Sequence, residues 1–122
     1  MNVGKAIVTA ALSMSLLAMP ACSSTATTSV ACDGTIYQVI DYAMDNLKLG
    51  ETPIVIVNGS VDENTEIDGD GMLTIHDAKG NTAFCLSHGL LDCKVGEPVS
   101  VRGTLQEWSE TTLLIWDAEL VK

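Results

Sequence analysis

Two short stretches of the sequence, Val55-Ile56-Val57-Asn58-Gly59-Ser60-Val61 and Val99-Ser100-Val101-Arg102-Gly103-Thr104-Leu105, follow one pattern. In each, valine or leucine recurs at alternate positions, which is the period of a β-strand with a buried face. Each also carries a glycine near its middle, where a strongly curved sheet needs a residue without a side chain. The two stretches therefore predict strands of a curved sheet that closes into a barrel.

Period-two patterns and turn residues predict five strands in all. The first strand, Pro53 to about Val61, is apolar on both faces, as expected for a strand that is covered on both sides. The other predicted strands are Met72 to Asp77, Thr82 to Ser87, Val99 to about Leu105, and Thr111 to Val121. Glycine-containing turns separate several of them. The sequence therefore predicts a mainly β fold, a five-stranded OB-like barrel over residues 52–122, rather than a seven-stranded sandwich.

One amphipathic helix is predicted ahead of the barrel, over residues 33–50. Thr35-Ile36-Tyr37-Gln38 has the pattern of a capping box, and Gly50 followed by Pro53 marks the end. Apolar residues recur at helical spacing along one face: Ile36, Val39, Ile40, Ala43, Met44 and Leu47. This stripe predicts that the helix packs on the barrel and closes one end; docking of a partner protein on the helix is the alternative.

The N-terminus is predicted to be an export signal, residues 1–21, followed by a flexible tether, residues 22–32. The apolar run Ala6 to Met19 is shorter than the ~20 residues of a membrane span and fits the hydrophobic part of a secretory signal. Leu17-Ala18-Met19-Pro20-Ala21-Cys22 resembles a bacterial lipoprotein signal, in which the cysteine is lipidated. Cleavage after Ala26 is the alternative. Either cleavage would export the protein, and lipidation of Cys22 would anchor it to a membrane.

The charge balance limits the possible partners. The chain of 122 residues has a formal net charge of −10, and a chain that starts at Cys22 would hold five Lys/Arg against sixteen Asp/Glu, or −11. Proteins that bind nucleic acids usually present a basic stripe to the phosphates. The composition therefore argues against a nucleic-acid partner and is compatible with cations or basic protein surfaces.

The order of the predicted elements resembles known bacterial OB-fold domains. The elements that carry the resemblance are the leading helix, Asp77-x-x-Gly80 between two strands, Cys85 in the middle strand, Gly96-Glu97-Pro98-Val99-x-Val101-x-Gly103, and the final Leu113-x-Ile115-x-Asp117-Ala118 strand. Together they resemble the exported tRNA-anti-like and bacterial OB-fold (BOF) groups, which are often lipoproteins. The resemblance implies an exported binding domain and assigns no functional residue here.

Acidic residues between the first two predicted strands suggest a divalent-cation site. In the register of an EF-hand loop, oxygen ligands of Glu66, Asp68, Asp70 and Asp77 fall at ligand positions, with Gly71 at the required glycine. The stretch lacks the flanking helices of an EF-hand. The preferred interpretation is that residues 62–71 form an acidic loop whose Asp and Gly residues serve as turn residues, and calcium binding is the alternative.

Two cysteines flank the link between the third and fourth predicted strands. In an exported protein thiols tend to oxidise, so a Cys85–Cys93 disulfide is predicted. A metal site that uses Cys85, His88 and Cys93 is the alternative. Cys22 could pair with Cys32 if Cys22 is retained and not lipidated.

Near the last predicted hairpin, Trp108, Trp116 and the single arginine, Arg102, are candidates for a ligand face. OB folds bind extended ligands by stacking on such faces. Packing of one or both tryptophans in the core or at the barrel rim is the preferred interpretation, and the ligand face is the alternative.

No nucleophile pair, phosphate loop or carboxylate dyad follows from residue spacing. The sequence therefore predicts a protein without enzymatic activity or cofactor. The predicted function is that of a binding or structural module on the periplasmic side of a bacterial envelope. Its partner would be an envelope protein or a small ligand. Binding of a single-stranded nucleic acid or an oligosaccharide is the alternative.

Overall fold

The computed structural model describes residues 30–121, and its elements follow the chain in a simple order. They are β1 (Val30–Thr35), α1 (Ile36–Asn46), β2 (Ile54–Ile67), β3 (Asp70–His76), β4 (Thr82–Ser87), β5 (Pro98–Trp108) and β6 (Thr112–Leu120). The signal segment and the predicted lipidation site Cys22 lie outside the described residues.

Strands β2 to β6 form a closed barrel of mixed strand direction. The sheet order is β1-β2-β3-β4-β6-β5, and an additional pairing of β2 with β5 closes it. Strands β4 and β6 run parallel, and the other pairs in the barrel are antiparallel. The predicted fold, a mainly β, five-stranded barrel preceded by one helix, is confirmed.

The two valine–glycine stretches lie in β2 and β5 and pair with each other. In their antiparallel register Val55 faces Gly103, Val57 faces Val101, and Gly59 faces Val99. Each glycine allows a close approach to a backbone carbonyl of a further strand. A Cβ on Gly59 would lie 2.7 Å from His76 O, and a Cβ on Gly103 would lie 2.7 Å from Trp116 O. The glycines are thus where the barrel wall bends over its neighbours, as their positions predict.

The interior of the barrel is filled by apolar side chains from every strand. The fully buried large side chains there are Val55, Val57, Val61, Leu73, Ile75, Val101, Leu105, Leu113 and Ile115. They alternate along each strand with residues that face outward, so the hydrophobic effect selects the register.

Helix α1 packs against β1, β2, β5 and β6. Its capping box is confirmed, because Thr35 Oγ1 accepts from Gln38 N at 3.2 Å and Gln38 Oε1 accepts from Thr35 N at 2.9 Å. Four residues of its predicted apolar stripe are buried: Ile36, Val39, Ile40 and Ala43. Met44, by contrast, is exposed. No helix within residues 30–121 has both the length and the apolar character needed to cross a membrane.

Three boundaries differ from the predictions. Residues 30–35, divided in the prediction between tether and helix, form β1, which pairs in parallel with β2. The helix ends at Asn46, several residues before Gly50. The acidic residues 62–67 continue β2, and a two-residue turn joins them to β3. In that turn Asp68 and Gly69 have φ of 52° and 87°, as in the tight hairpin turns that favour Asp-Gly.

Candidate functional site

An open cleft of about 860 Å³ lies where the two valine–glycine stretches meet the end of β3. Its floor includes the middle of β2, with Asn58, Gly59 and Ser60. The start of β5 flanks β2 on one side and the end of β3 flanks it on the other, and the lining is completed by Thr35 of β1, the end of β6 and the loop that precedes β5. Because the barrel interior is filled, this cleft offers space for a small molecule that the interior does not.

Polar groups of β2 and β5 are fixed across the floor of the cleft. Ser100 Oγ donates to Asn58 Oδ1, and the two residues are cross-strand partners. Asn58 Nδ2 also lies 3.5 Å from Asp33 Oδ1. These bonds hold an amide and a hydroxyl in place among apolar strand residues.

His76 ends β3 at the edge of the cleft. Its Nδ1 lies 2.5 Å from Asp62 Oδ1, although the direction of approach is not that of a hydrogen bond. Both side chains are 45% exposed, so solvent weakens the interaction between them.

Asp77, next along the chain, is the most highly hydrogen-bonded carboxylate of the cleft. Its Oδ1 accepts from Lys79 N and Asn81 N, each at 2.9 Å, and its Oδ2 accepts from Tyr37 N at 2.9 Å and Asn81 Nδ2 at 3.2 Å. Burial by itself raises the pKa of Asp77, but hydrogen bonds from Asn81, Tyr37 and Lys79 outweigh it. The net pKa lies below the ordinary 3.8. Asp77 therefore stays charged and joins the β3–β4 turn to the first turn of α1.

The loop between β4 and β5 carries Asp92, Cys93 and Glu97 to the cleft. Asn64 holds this loop on the barrel, since its Nδ2 donates to the carbonyls of Leu91 and Cys93, each at 2.9 Å. Among the described residues that line the cleft, three are carboxylates and none is Lys or Arg. The cleft therefore has a negative lining.

The predicted Cys85–Cys93 disulfide is wrong, because both cysteines are free thiols. Cys85 alternates with Ala83 and Ser87 on the inner face of β4 and is fully buried, whereas Cys93 lies in the loop beside the cleft. Burial, followed by the charge that Cys93 would carry, raises the pKa of Cys85 to about 12. Burial, followed by Glu97 and Asp92, raises the pKa of Cys93. Both thiols stay protonated near neutral pH, which makes them poor nucleophiles.

The alternative metal site at the same cysteines is not assembled either. Cys85 points into the core, while His88 is exposed and its Nε2 lies 2.7 Å from Asp117 Oδ1. Within residues 30–121 no group of three or more His, Cys, Asp or Glu side chains could hold a metal ion.

The structure does not bring the predicted calcium ligands together. Glu66, Asp68 and Asp70 surround the β2–β3 turn, whereas Asp77 follows the far end of β3. Seven residues of extended strand separate Asp70 from Asp77, which corresponds to ~23 Å. Asp77 is also occupied by its four hydrogen-bond donors.

The predicted ligand face is divided between two sides of the sheet. Trp108 packs against the core, because a bulge after Leu105 turns it inward opposite Leu113. Trp116 is 47% exposed and pairs with Thr104 on the outer face. Arg102 shares that face and is the cross-strand partner of Glu119.

The sequence-based prediction missed Phe84, a second aromatic residue of the outer face. Phe84 is 38% exposed, and its parallel partner on β6 is Leu114, two residues before Trp116. Together they form an outer aromatic face, defined here as Phe84, Leu114 and Trp116. The polar residues Asn58 and Ser100 of the cleft were also missed, although polar residues between valines were a possible signal.

Comparison of the chain with known proteins found no matching family model and no matching curated protein. The resemblance to exported bacterial OB-fold groups therefore stays a prediction from the sequence.

Proposed function

We propose that this protein is a non-catalytic binding module of the bacterial cell envelope, exported and anchored through a lipid on Cys22. The observation that carries the proposal is the open cleft of about 860 Å³ on a barrel whose interior is filled. The cleft has fixed hydrogen-bonding groups and an apolar part, which are the features of a small-molecule site.

The side chains of the cleft favour binding over catalysis. Cys93 is the thiol of the cleft, and its raised pKa keeps it protonated. The Asp77 carboxylate is committed to four donors and is not poised to take a proton. Both residues therefore support a site that holds a ligand without transforming it.

Native mass spectrometry of protein extracted from its bacterial envelope tests binding and anchoring together. We expect a chain that begins at a lipidated Cys22 and carries a small ligand, which a variant with a blocked cleft, Ser100→Trp, releases. Cleft ligands retained by Ser100→Trp would contradict the assignment of the cleft, and an unlipidated chain that begins after Ala26 would contradict the anchor.

Binding of an oligosaccharide or a single strand of nucleic acid on the outer aromatic face is the second candidate. The exposure of Phe84 and Trp116 favours it, because exposed rings stack on sugars and bases. Asp117, beside Trp116, and the low number of basic residues favour the uncharged sugar over a polyanion.

This candidate is tested by the pair of variants Trp116→Ser and Val95→Ser. Val95 is 70% exposed in the β4–β5 loop, so it controls for loss of an exposed apolar side chain. Loss of stacking should weaken oligosaccharide binding by about fivefold or more, or ~1 kcal/mol, in Trp116→Ser alone. Equal effects of the two variants, or tighter binding to single-stranded DNA that weakens steeply with salt, would count against it.

A further inference from the structure

The cleft has an apolar part and a charged part that lie on different elements. Its apolar part is formed by Val99 at the start of β5, by Leu120 at the end of β6 and by Val121, which follows β6. Its charged part includes Asp92 and Glu97, which belong to the loop between β4 and β5. A ligand that fits both parts needs a hydrocarbon segment next to a polar group.

The sign of that polar group follows from the charges around the cleft. Asp92 and Glu97 are exposed, and Asp77, on the opposite wall, remains charged because of its hydrogen bonds. No Lys or Arg is among the described lining residues, and Lys94, between the two loop carboxylates in sequence, does not line the cleft. Such a cavity attracts cations and repels carboxylates and phosphates.

The remaining groups suit an ammonium group better than a metal ion. The described residues hold no group of three or more potential metal ligands, and Asp77 has its oxygens filled by four donors. An ammonium group needs fewer fixed ligands, because each of its hydrogens can meet a carboxylate, a hydroxyl or water. Ser100 and Asn58 place a hydroxyl and an amide in the same cleft.

We propose that the cleft binds a short aliphatic amine, with its methylene chain against Val99, Leu120 and Val121 and its ammonium group toward Asp92 and Glu97. This inference rests on the proposed function, in which the cleft is the binding site, and adds the chemical class of the ligand. It concerns a surface separate from the outer aromatic face.

Three probes of equal carbon length test the chemistry. The full chain is titrated with diaminobutane, butanediol and succinate, and backbone amide chemical shifts locate the response. Diaminobutane should shift the amides of Ser60, Val99, Ser100 and Val121 in a saturable way. Butanediol should bind more weakly, by about fivefold or more, and succinate should leave these amides unchanged.

Two variants with the same change in charge test the position of the ammonium group. Asp92→Asn with Glu97→Gln removes two carboxylates of the cleft, and Glu63→Gln with Glu66→Gln removes two exposed carboxylates of β2 outside it. The first should weaken diaminobutane binding by about two- to fivefold per carboxylate, and the second should leave it within twofold.

The possible failures are distinguishable. Equal binding of butanediol and diaminobutane in the cleft would overturn the amine inference and leave the binding module intact. Equal weakening by both double variants, or shifts centred on the β2–β3 turn, would show attraction by overall charge and overturn it as well. An absence of cleft shifts with all three probes at millimolar concentration would overturn the inference, while a cleft ligand in the extracted protein would still support the proposed function.

Discussion

The two valine–glycine stretches share a sequence pattern and a strand pairing, yet their glycines lie in different surroundings. Gly103 is buried, and an added Cβ would lie 2.5 Å from Ile115 Cγ2, 2.7 Å from Trp116 O and 3.3 Å from Ala118 Cα. Gly59 is partly exposed at the cleft, and its Cβ would meet His76 O at 2.7 Å and Ile75 Cδ1 at 3.3 Å. The strand thus bends within the closed barrel wall at Gly103, whereas at Gly59 it bends beside the open cleft.

The residues that follow the two carbonyls also differ in their surroundings. His76 is followed by Asp77, which collects four donors, and Trp116 is followed by Asp117, which has a left-handed φ of 56° and approaches an exposed histidine. The first aspartate joins two elements of the fold, whereas the second occupies a bulge on the surface. The shared sequence pattern therefore predicts that both strands bend, but it does not predict the different roles of the two aspartates.

The largest expected effect is that of Gly103→Ala. The new methyl group has no room among side-chain and backbone atoms of β6, so overpacking should lower the free energy of unfolding by about 3 kcal/mol. Urea denaturation measures this, with Thr104→Ala as the control on the outward-facing neighbour. A loss of stability no greater than that of Thr104→Ala would contradict the crowding expected around a methyl group at position 103.

The second largest effect is expected for Asp77→Ala, which should lower the free energy of unfolding by about 2 kcal/mol. The variant leaves the Tyr37, Lys79 and Asn81 donors without their acceptor, and water compensates in part because the site is half-buried. Asp117→Ala is the matched variant and should lose clearly less. Similar losses in the two variants would show that Asp77 contributes no more to stability than Asp117 does.

The hydrogen bonds of the Asp77 carboxylate also predict that the stability of the fold depends on pH. The folded-state pKa of Asp77 lies below 3.8, so its contribution is complete above the unfolded-state value and is lost as the pH falls through the folded-state pKa. Asp77→Asn should therefore have a shallower loss of stability below about pH 4 than Asp68→Asn, which keeps Asp77. Melting temperatures across the acid range measure it, and parallel curves would contradict the prediction.

Gly59→Ala should destabilise by about 1 kcal/mol, less than Gly103→Ala. Its methyl group would lie closer than 3 Å only to the His76 carbonyl oxygen, with Ile75 Cδ1 at 3.3 Å, and the open side of the cleft allows β2 to shift away. The variant should also alter the amide shifts of the cleft residues Ser60 and Ser100. A stability loss equal to that of Gly103→Ala would show that the open cleft does not let β2 move to accommodate the methyl group.

The smallest effect is expected for Asp117→Gly. Glycine adopts the left-handed conformation without the cost that Asp pays, while the exposed contact with His88 is lost. The two contributions should nearly cancel, to within about 0.5 kcal/mol. Asp117→Val, in which a β-branched side chain must adopt the same φ, should lose more than this, and an equal result for the two variants would rule out a left-handed requirement.

The barrel was predictable because its strands bury one face. The alternation of Val55, Val57, Val101 and Leu105 reports burial directly, and these side chains are inside the barrel. Strand residues that are not buried show no such alternation. Residues 62–67 have mostly exposed side chains and read as a loop, although backbone pairing with β3 keeps them in a strand.

Other parts of the molecule depend on contacts between distant parts of the chain. The strand β1 is short and is held by parallel pairing with β2, which local pattern does not reveal. The state of Cys85 depends on which face of β4 it occupies and on where the following loop places Cys93. The cleft depends on the meeting of five strands, β1, β2, β3, β5 and β6, so its residue types were visible in the sequence but their proximity was not.

The pairing of the two valine–glycine stretches also has a consequence for the folding pathway. Val57 and Val101, which face each other, are 44 positions apart (101 − 57), whereas β2, β3 and β4 are neighbours along the chain. Because closing a long loop costs entropy before its contacts form, we expect the β2–β3–β4 meander to form first and the β2–β5 seam late. The cleft has walls on both sides of that seam and exists only once the seam has closed. A cleft ligand would therefore stabilise the seam selectively and slow its opening.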